Sequence, residues 1–133
     1  METKELTLNE YQKAAMTTCM PSSDNFSYMF LNLVGEVGEF ASKVAKSIRK
    51  EHSIIGEEYV NDLSIRKDVI EEEMVALRKE AGDILLQLAG LCSVMNWDLN
   101  KVAQENLDKL QARKAAGTID GSGDGVTKEE RNA

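Results

Sequence analysis

Two pairs of acidic residues carry the chemistry this chain could perform: Glu36 with Glu39 and Glu80 with Asp83, the members of each pair three positions apart. At about 100° per helical residue, Asn32, Glu36, Glu39 and Lys43 fall on one polar stripe of a helix. The apolar arc of that helix, Phe30, Leu33, Val37, Phe40, Val44 and Ile48, lies directly beside the stripe. Glu36 and Glu39 therefore border a core, where a carboxylate costs free energy unless a cation meets it. Glu80 and Asp83 stand in the same relation to Leu77, Ala81, Ile84 and Leu88. If the two helices pack through these arcs, four carboxylates converge. Oxygen-only ligands suit a hard divalent ion such as Mg²⁺ or Mn²⁺, and helical bundles build metal sites from inward-facing carboxylates. A di-iron centre of the E-x-x-H type is excluded, since no His stands at those positions. The plainer alternative is a pair of solvated acidic helix faces. Gly35 and Gly38 flank the acids, and each costs about 1 kcal/mol relative to Ala in a helix, which usually has a packing or ligand reason.

Cationic and amide groups follow later in the chain. Asn106, Lys109 and Arg113 share a stripe, and Asn106 falls inside the apolar arc of Leu99, Val102, Ala103, Leu107 and Leu110, so it is expected to be buried and hydrogen-bonded. Lys109 and Arg113 suit phosphate oxygens, or an exposed cation pair. Asn32 and Lys43 add two candidate substrate contacts on the acidic stripe. His52 reads as a loop residue, and Cys19 and Cys92 as buried small hydrophobes without metal-type spacing. Trp97 reads as a core anchor, with base stacking as the alternative.

The elements that must position these groups are all helical. Thr7 and Glu10 form a capping-box pattern, with Leu6 placed to staple onto Tyr11, and open a helix over 8–19 that ends before Pro21. Asp24 or Asn25 caps a second helix over 26–50; residues 51–64 read as a loop, and a third helix runs over 65–95. Asp98 caps a fourth over 99–116, which Gly117 stops. One domain over 1–117 is expected, followed at 118–133 by a glycine-rich tail that is a flexible linker or a lid. The segment ILLQLAGLCSVMNW is apolar almost all round, which suggests burial against another subunit.

Charge narrows the partners. The 133 residues carry 16 basic against 23 acidic side chains, a net charge of −7, so binding to a nucleic-acid polymer is disfavoured. The longest uncharged stretch, 84–97, is shorter than the roughly 20 residues a membrane helix needs. No secretory layout opens the chain, and the expected compartment is cytoplasmic.

Three segments, GEVGE at 35–39, KEAGDILLQLAGL at 79–91 and ENLDKLQARKAAG at 105–117, resemble those of the MazG-like all-α nucleoside triphosphate pyrophosphohydrolases, whose relatives include dimeric dUTPases and phosphoribosyl-ATP pyrophosphohydrolases. The resemblance covers most of residues 7–117. It implies a four-helix, oligomeric bundle, a homodimer or homotetramer, that uses Mg²⁺ to cleave a nucleoside triphosphate between its α and β phosphates. It implies Glu36, Glu39, Glu80 and Asp83 as metal ligands, Glu36 or Glu39 as the group that activates water, and Asn106, Lys109 and Arg113 near the phosphates or sugar. Two features depart from the family pattern: Gly35 stands where many members have a further Glu, and the stretch between Glu39 and Glu80 is longer than in many relatives. The rival reading is a non-catalytic helical oligomerisation or partner-binding module with a structural metal site.

Overall fold

The structure is a computed structural model that describes residues 3–49 and 63–117. These form four α-helices and one 3-10 turn: α1 (Leu8–Met16), the turn Pro21–Ser23, α2 (Phe26–Arg49), α3 (Leu63–Val94) and α4 (Leu99–Ala116). The expected all-α, four-helix architecture is present. His52, the loop expected up to 62 and the tail 118–133 lie outside the described residues; positions 63 and 64, expected in that loop, already belong to α3.

Local chemistry sets the helix ends. Thr7 and Glu10 close a capping box: the Glu10 amide donates to Thr7 Oγ1 at 3.1 Å and the Thr7 amide to Glu10 Oε2 at 3.2 Å. Leu6, the expected staple, remains 68% exposed. α1 stops three residues short of its expected end because the Thr17 and Thr18 hydroxyls donate to the carbonyls of Ala14 and Ala15 at 2.6 and 2.7 Å, the competition that disfavours Thr in helix interiors. Asn25 caps α2, accepting from the Tyr28 amide at 2.8 Å, and Asp98 caps α4, accepting from the Lys101 amide at 2.7 Å. Asn96, at φ 59°, turns the chain out of α3, with the Trp97 amide reaching back to Cys92 O at 2.8 Å. Gly117, at φ 67°, ends α4 as expected.

α2 and α3 lie antiparallel along much of their length. Ser47 Oγ donates to Glu73 Oε2 at 2.7 Å, Lys43 Nζ sits 3.5 Å from Glu80 Oε1, and Met29 lies over Gly90. A Cβ at Gly90 would run into the Met29 thioether, so this glycine admits the side chain that closes the pair at one end. The buried face of α2 is rotated from the expected arc. Met29 and Ser47 are buried and Leu33, Glu36, Phe40 and Val44 half-buried, whereas Phe30 and Val37 remain 46% and 50% exposed. α2 is apolar over more than one flank, and α3 covers only one. Phe26 and Phe30 stack on the open flank with ring centroids 5.9 Å apart.

A small core forms where α1, α3 and α4 meet: Ala89, Cys92 and Leu99, with Tyr11, Met16, Leu88 and Val102 around them. Gln12 locks this corner. Its amide nitrogen donates to Ser93 Oγ and Trp97 O at 2.9 Å and to Ala89 O at 3.4 Å, while its oxygen accepts from the Leu99 amide at 2.9 Å. Asn9 and Asn100 exchange reciprocal side chain to backbone hydrogen bonds between α1 and α4. Between its first turns and Arg113, α4 leaves Asn106, Leu107 and Leu110 exposed, so the expectation that Asn106 is buried does not hold within one chain. Trp97 is likewise 51% exposed and is no core anchor. The segment ILLQLAGLCSVMNW is only partly covered, Met95 and Trp97 being exposed. No helix among the described residues is long and apolar enough to cross a membrane.

Candidate metal centre

Midway along the α2–α3 pair, carboxylate oxygens of Glu36, Glu80 and Asp83 lie within 4.8 Å of one another. Glu36 reaches the seam because it sits on the packed face of α2, between Leu33 and Phe40. Glu80 and Asp83 come from consecutive positions of one α3 stripe. Glu36 and Glu80 are half-buried and Asp83 is exposed, so the group is closed on the protein side and open to solvent on the other.

Electrostatically this group is short of positive charge. Partial burial, and after it the charges of Asp83, Glu80 and Glu39, hold the Glu36 carboxyl above its ordinary value. Lys43 partly offsets Glu80, although at 3.5 Å and 43% side-chain exposure it is a weak, screened pair. Three oxygen ligands of this kind fit a hard divalent cation. Carboxylate oxygens are the donors that such an ion takes.

Glu39 does not join the three. It is exposed, on the solvent side of the stripe, although its charge is felt at Glu36. Asn32 is half-buried one turn before Glu36, and Lys43 faces Glu80. Asn106 and Lys109 are exposed on α4 and make no hydrogen bond or ion pair among the described residues, while Arg113 is buried at 9% exposure. Gly35 and Gly38 face open space, so no packing demand among the described residues accounts for them. Two neighbours were not singled out by sequence. Tyr11, on α1 and packed against the Ala89, Cys92 and Leu99 cluster, has its hydroxyl held above the ordinary value by burial and, after it, by the charge of Asp83. Gln12 fixes that helix, and its signal was a polar residue one turn after Leu8 in a helix that must bury a face.

The sequence model of the MazG nucleotide pyrophosphohydrolase domain matches residues 25–117, from the cap of α2 to the cap of α4. The chain belongs to this family. The chain is also 36% identical over 121 residues to the Gene 37 protein of Mycobacterium phage L5, a match covering 86% of this chain and 94% of that protein. No solved structure matches. The MazG domain thus contains all four acidic positions and the α4 stripe, whereas Tyr11 and Gln12 lie in the helix before it. MazG proteins generally depend on divalent metal ions, and the acidic group on α2 and α3 is a donor set suited to one.

Proposed function

We propose that this protein is a Mg²⁺-dependent nucleoside triphosphate pyrophosphohydrolase that cleaves between the α and β phosphates to give a nucleoside monophosphate and pyrophosphate. The observation that carries this reading is the meeting of Glu36, Glu80 and Asp83 oxygens within 4.8 Å across two helices of a MazG domain. A divalent cation held there, Mg²⁺ or Mn²⁺, would neutralise the triphosphate and lower the pKa of bound water. Glu36, Glu80 and Asp83 are the ligands. Glu39, one turn from Glu36 and open to solvent, is free to orient the attacking water and take its proton, with Glu36 as the second candidate for that role. In this reading Glu39 need not enter the first coordination sphere.

Lys43, already beside Glu80, is placed to exchange that partner for a phosphate oxygen. Asn32 lies on the same flank as a sugar or phosphate contact. Asn106, Lys109 and Arg113 of α4 are assigned to the leaving pyrophosphate and the sugar, where cations stabilise developing negative charge. Two faces left open by one chain, Phe26, Phe30, Val34 and Val37 on α2 and Leu107 and Leu110 on α4, support a homodimer or homotetramer. Light scattering during gel filtration tests this, and a monomeric mass at micromolar concentration would refute it. The same open faces are what favours the rival reading of a non-catalytic helical module.

The deciding experiment incubates the full chain with deoxy- and ribonucleoside triphosphates and Mg²⁺ in ¹⁸O-water. Monophosphate and pyrophosphate are expected in equal amounts. Release of orthophosphate and a diphosphate contradicts the assigned bond, and no turnover of any nucleotide contradicts the hydrolase reading and leaves the binding module.

A further inference from the structure

We infer that Gln12 is a positioning residue for substrate binding: its hydrogen bonds set the register of α1, and the chain at the end of α1 walls the groove beyond the carboxylates. This rests on the pyrophosphohydrolase reading above and adds to it a residue that touches neither metal nor nucleotide. Gln12 lies on a helix that precedes the residues matched by the MazG domain.

α1 is held by direction more than by burial. A helix of nine residues has little stability of its own, and the one side chain that α1 buries is the Gln12 amide. Apolar contacts are non-directional and let a short helix slide, whereas hydrogen bonds weaken steeply when misaligned. The Gln12 amide nitrogen donates to Ser93 Oγ on α3 and to Trp97 O in the turn after it, both at 2.9 Å, and to Ala89 O at 3.4 Å. Its oxygen accepts from the Leu99 amide of α4 at 2.9 Å. With partners on three successive segments, α1 cannot shift along one of them without losing a bond to another.

What this register controls is a partition. Met16, one turn after Gln12, and Cys19 and Met20 beyond it line two cavities at once, one of ≈ 200 Å³ and one of ≈ 730 Å³. Side chains with open space on two sides lack the close contacts that fix a core residue, so their place is set where α1 is anchored. The smaller cavity reaches Leu86 on α3, within one turn of Asp83, so a nucleotide gripped at the carboxylates extends along this partition. A shift of α1 would move space from one cavity to the other. The Asn9–Asn100 exchange ties α1 to α4 alone and stands two turns from Met16, so the tie to α3 next to the partition is that of Gln12.

The test measures kcat and KM of the full-length protein for a triphosphate it hydrolyses, in wild type, Gln12→Leu, Ser93→Ala and Asn9→Ala. Gln12→Leu should raise KM about tenfold, and Ser93→Ala, which removes one of the four bonds, about threefold. In both, kcat should stay within about twofold and Mn²⁺ affinity should be unchanged, because α2 and α3 keep their carboxylates. A merely structural role gives the opposite split, since a fraction of unfolded chain lowers the apparent kcat and leaves KM alone. Asn9→Ala, which loses one bond to α4, should leave both constants within about twofold. An unchanged KM in Gln12→Leu and Ser93→Ala, or an equal rise in Asn9→Ala, overturns the inference. Should Gln12→Leu fail to fold, Ser93→Ala against Asn9→Ala decides. If wild type hydrolyses nothing, the hydrolase reading fails by itself. The partition is then tested by iodoacetamide labelling of Cys19, read by mass spectrometry: labelling at least about threefold faster in Ser93→Ala than in wild type and Asn9→Ala supports it, and equal rates overturn it.

Discussion

α3 takes part in two regions that treat polar groups in opposite ways. At its C-terminal end, where α1 and α4 pack, both ends of the Gln12 amide find partners and Asn9 and Asn100 cap one another. At its middle, where α2 packs, three carboxylates crowd together with one screened lysine, and Gln87 is unmet. The corner has spent its hydrogen-bonding capacity on the fold. The groove holds back capacity at a cost in stability, which a binding site does when the ligand supplies the missing partner.

The difference between the two regions predicts opposite outcomes on mutation. The largest effect belongs to the groove: Glu80→Gln should lower turnover about 10³-fold or more while circular dichroism and the melting temperature hold or improve, because a repelled charge is removed. Retained turnover would detach Glu80 from the metal. In the corner the expectation reverses. Gln12→Leu leaves the Leu99 amide and the Trp97 carbonyl without partners and should cost about 2–4 kcal/mol by denaturant unfolding. A cost below about 0.5 kcal/mol would show the network to be dispensable.

Next comes the response to metal and pH. Glu36 is held above its ordinary value of 4.5, so the folded chain binds that proton more tightly than the unfolded one. In the metal-free protein this contribution favours folding below that value and is lost as pH rises through the raised one. Mg²⁺ should reverse the trend, stabilising by about 2.7 kcal/mol at a hundredfold excess over Kd near neutral pH and losing effect as the carboxylates protonate. Melting curves with and without Mg²⁺ at several pH values check both slopes; parallel curves would contradict the reading. The smallest effect is local: Asp98→Ala removes the α4 cap and should cost about 1 kcal/mol with Mg²⁺ affinity unchanged.

Much of this was legible in the residues because it depends on near neighbours. Thr7 with Glu10, Asp98 and Gly117 act within one turn of themselves, and their roles follow from sequence. The acidic stripes were readable for the same reason, since three positions on a helix put two carboxylates on one flank. What depended on a distant partner was harder to read. α2 is apolar on adjoining flanks, so only α3 decides that Met29 and Ser47 go inside while Phe30 and Val37 stay out. The same lack of a covering partner leaves Asn106 and Trp97 exposed. Gln12 and Gln87 look alike in sequence, and only the packing around them decides that the first has both ends of its amide met while the Oε1 of the second is buried without a donor.

The measurement that bears most directly on the account is Mn²⁺ binding by electron paramagnetic resonance, in wild type and in Glu36→Gln, Glu80→Gln and Asp83→Asn. The account predicts saturable binding in wild type at neutral pH, weakened at least about tenfold in each variant, with Mg²⁺ competing for the ion. Wild-type binding that all three substitutions leave intact, or no binding at all, would contradict it.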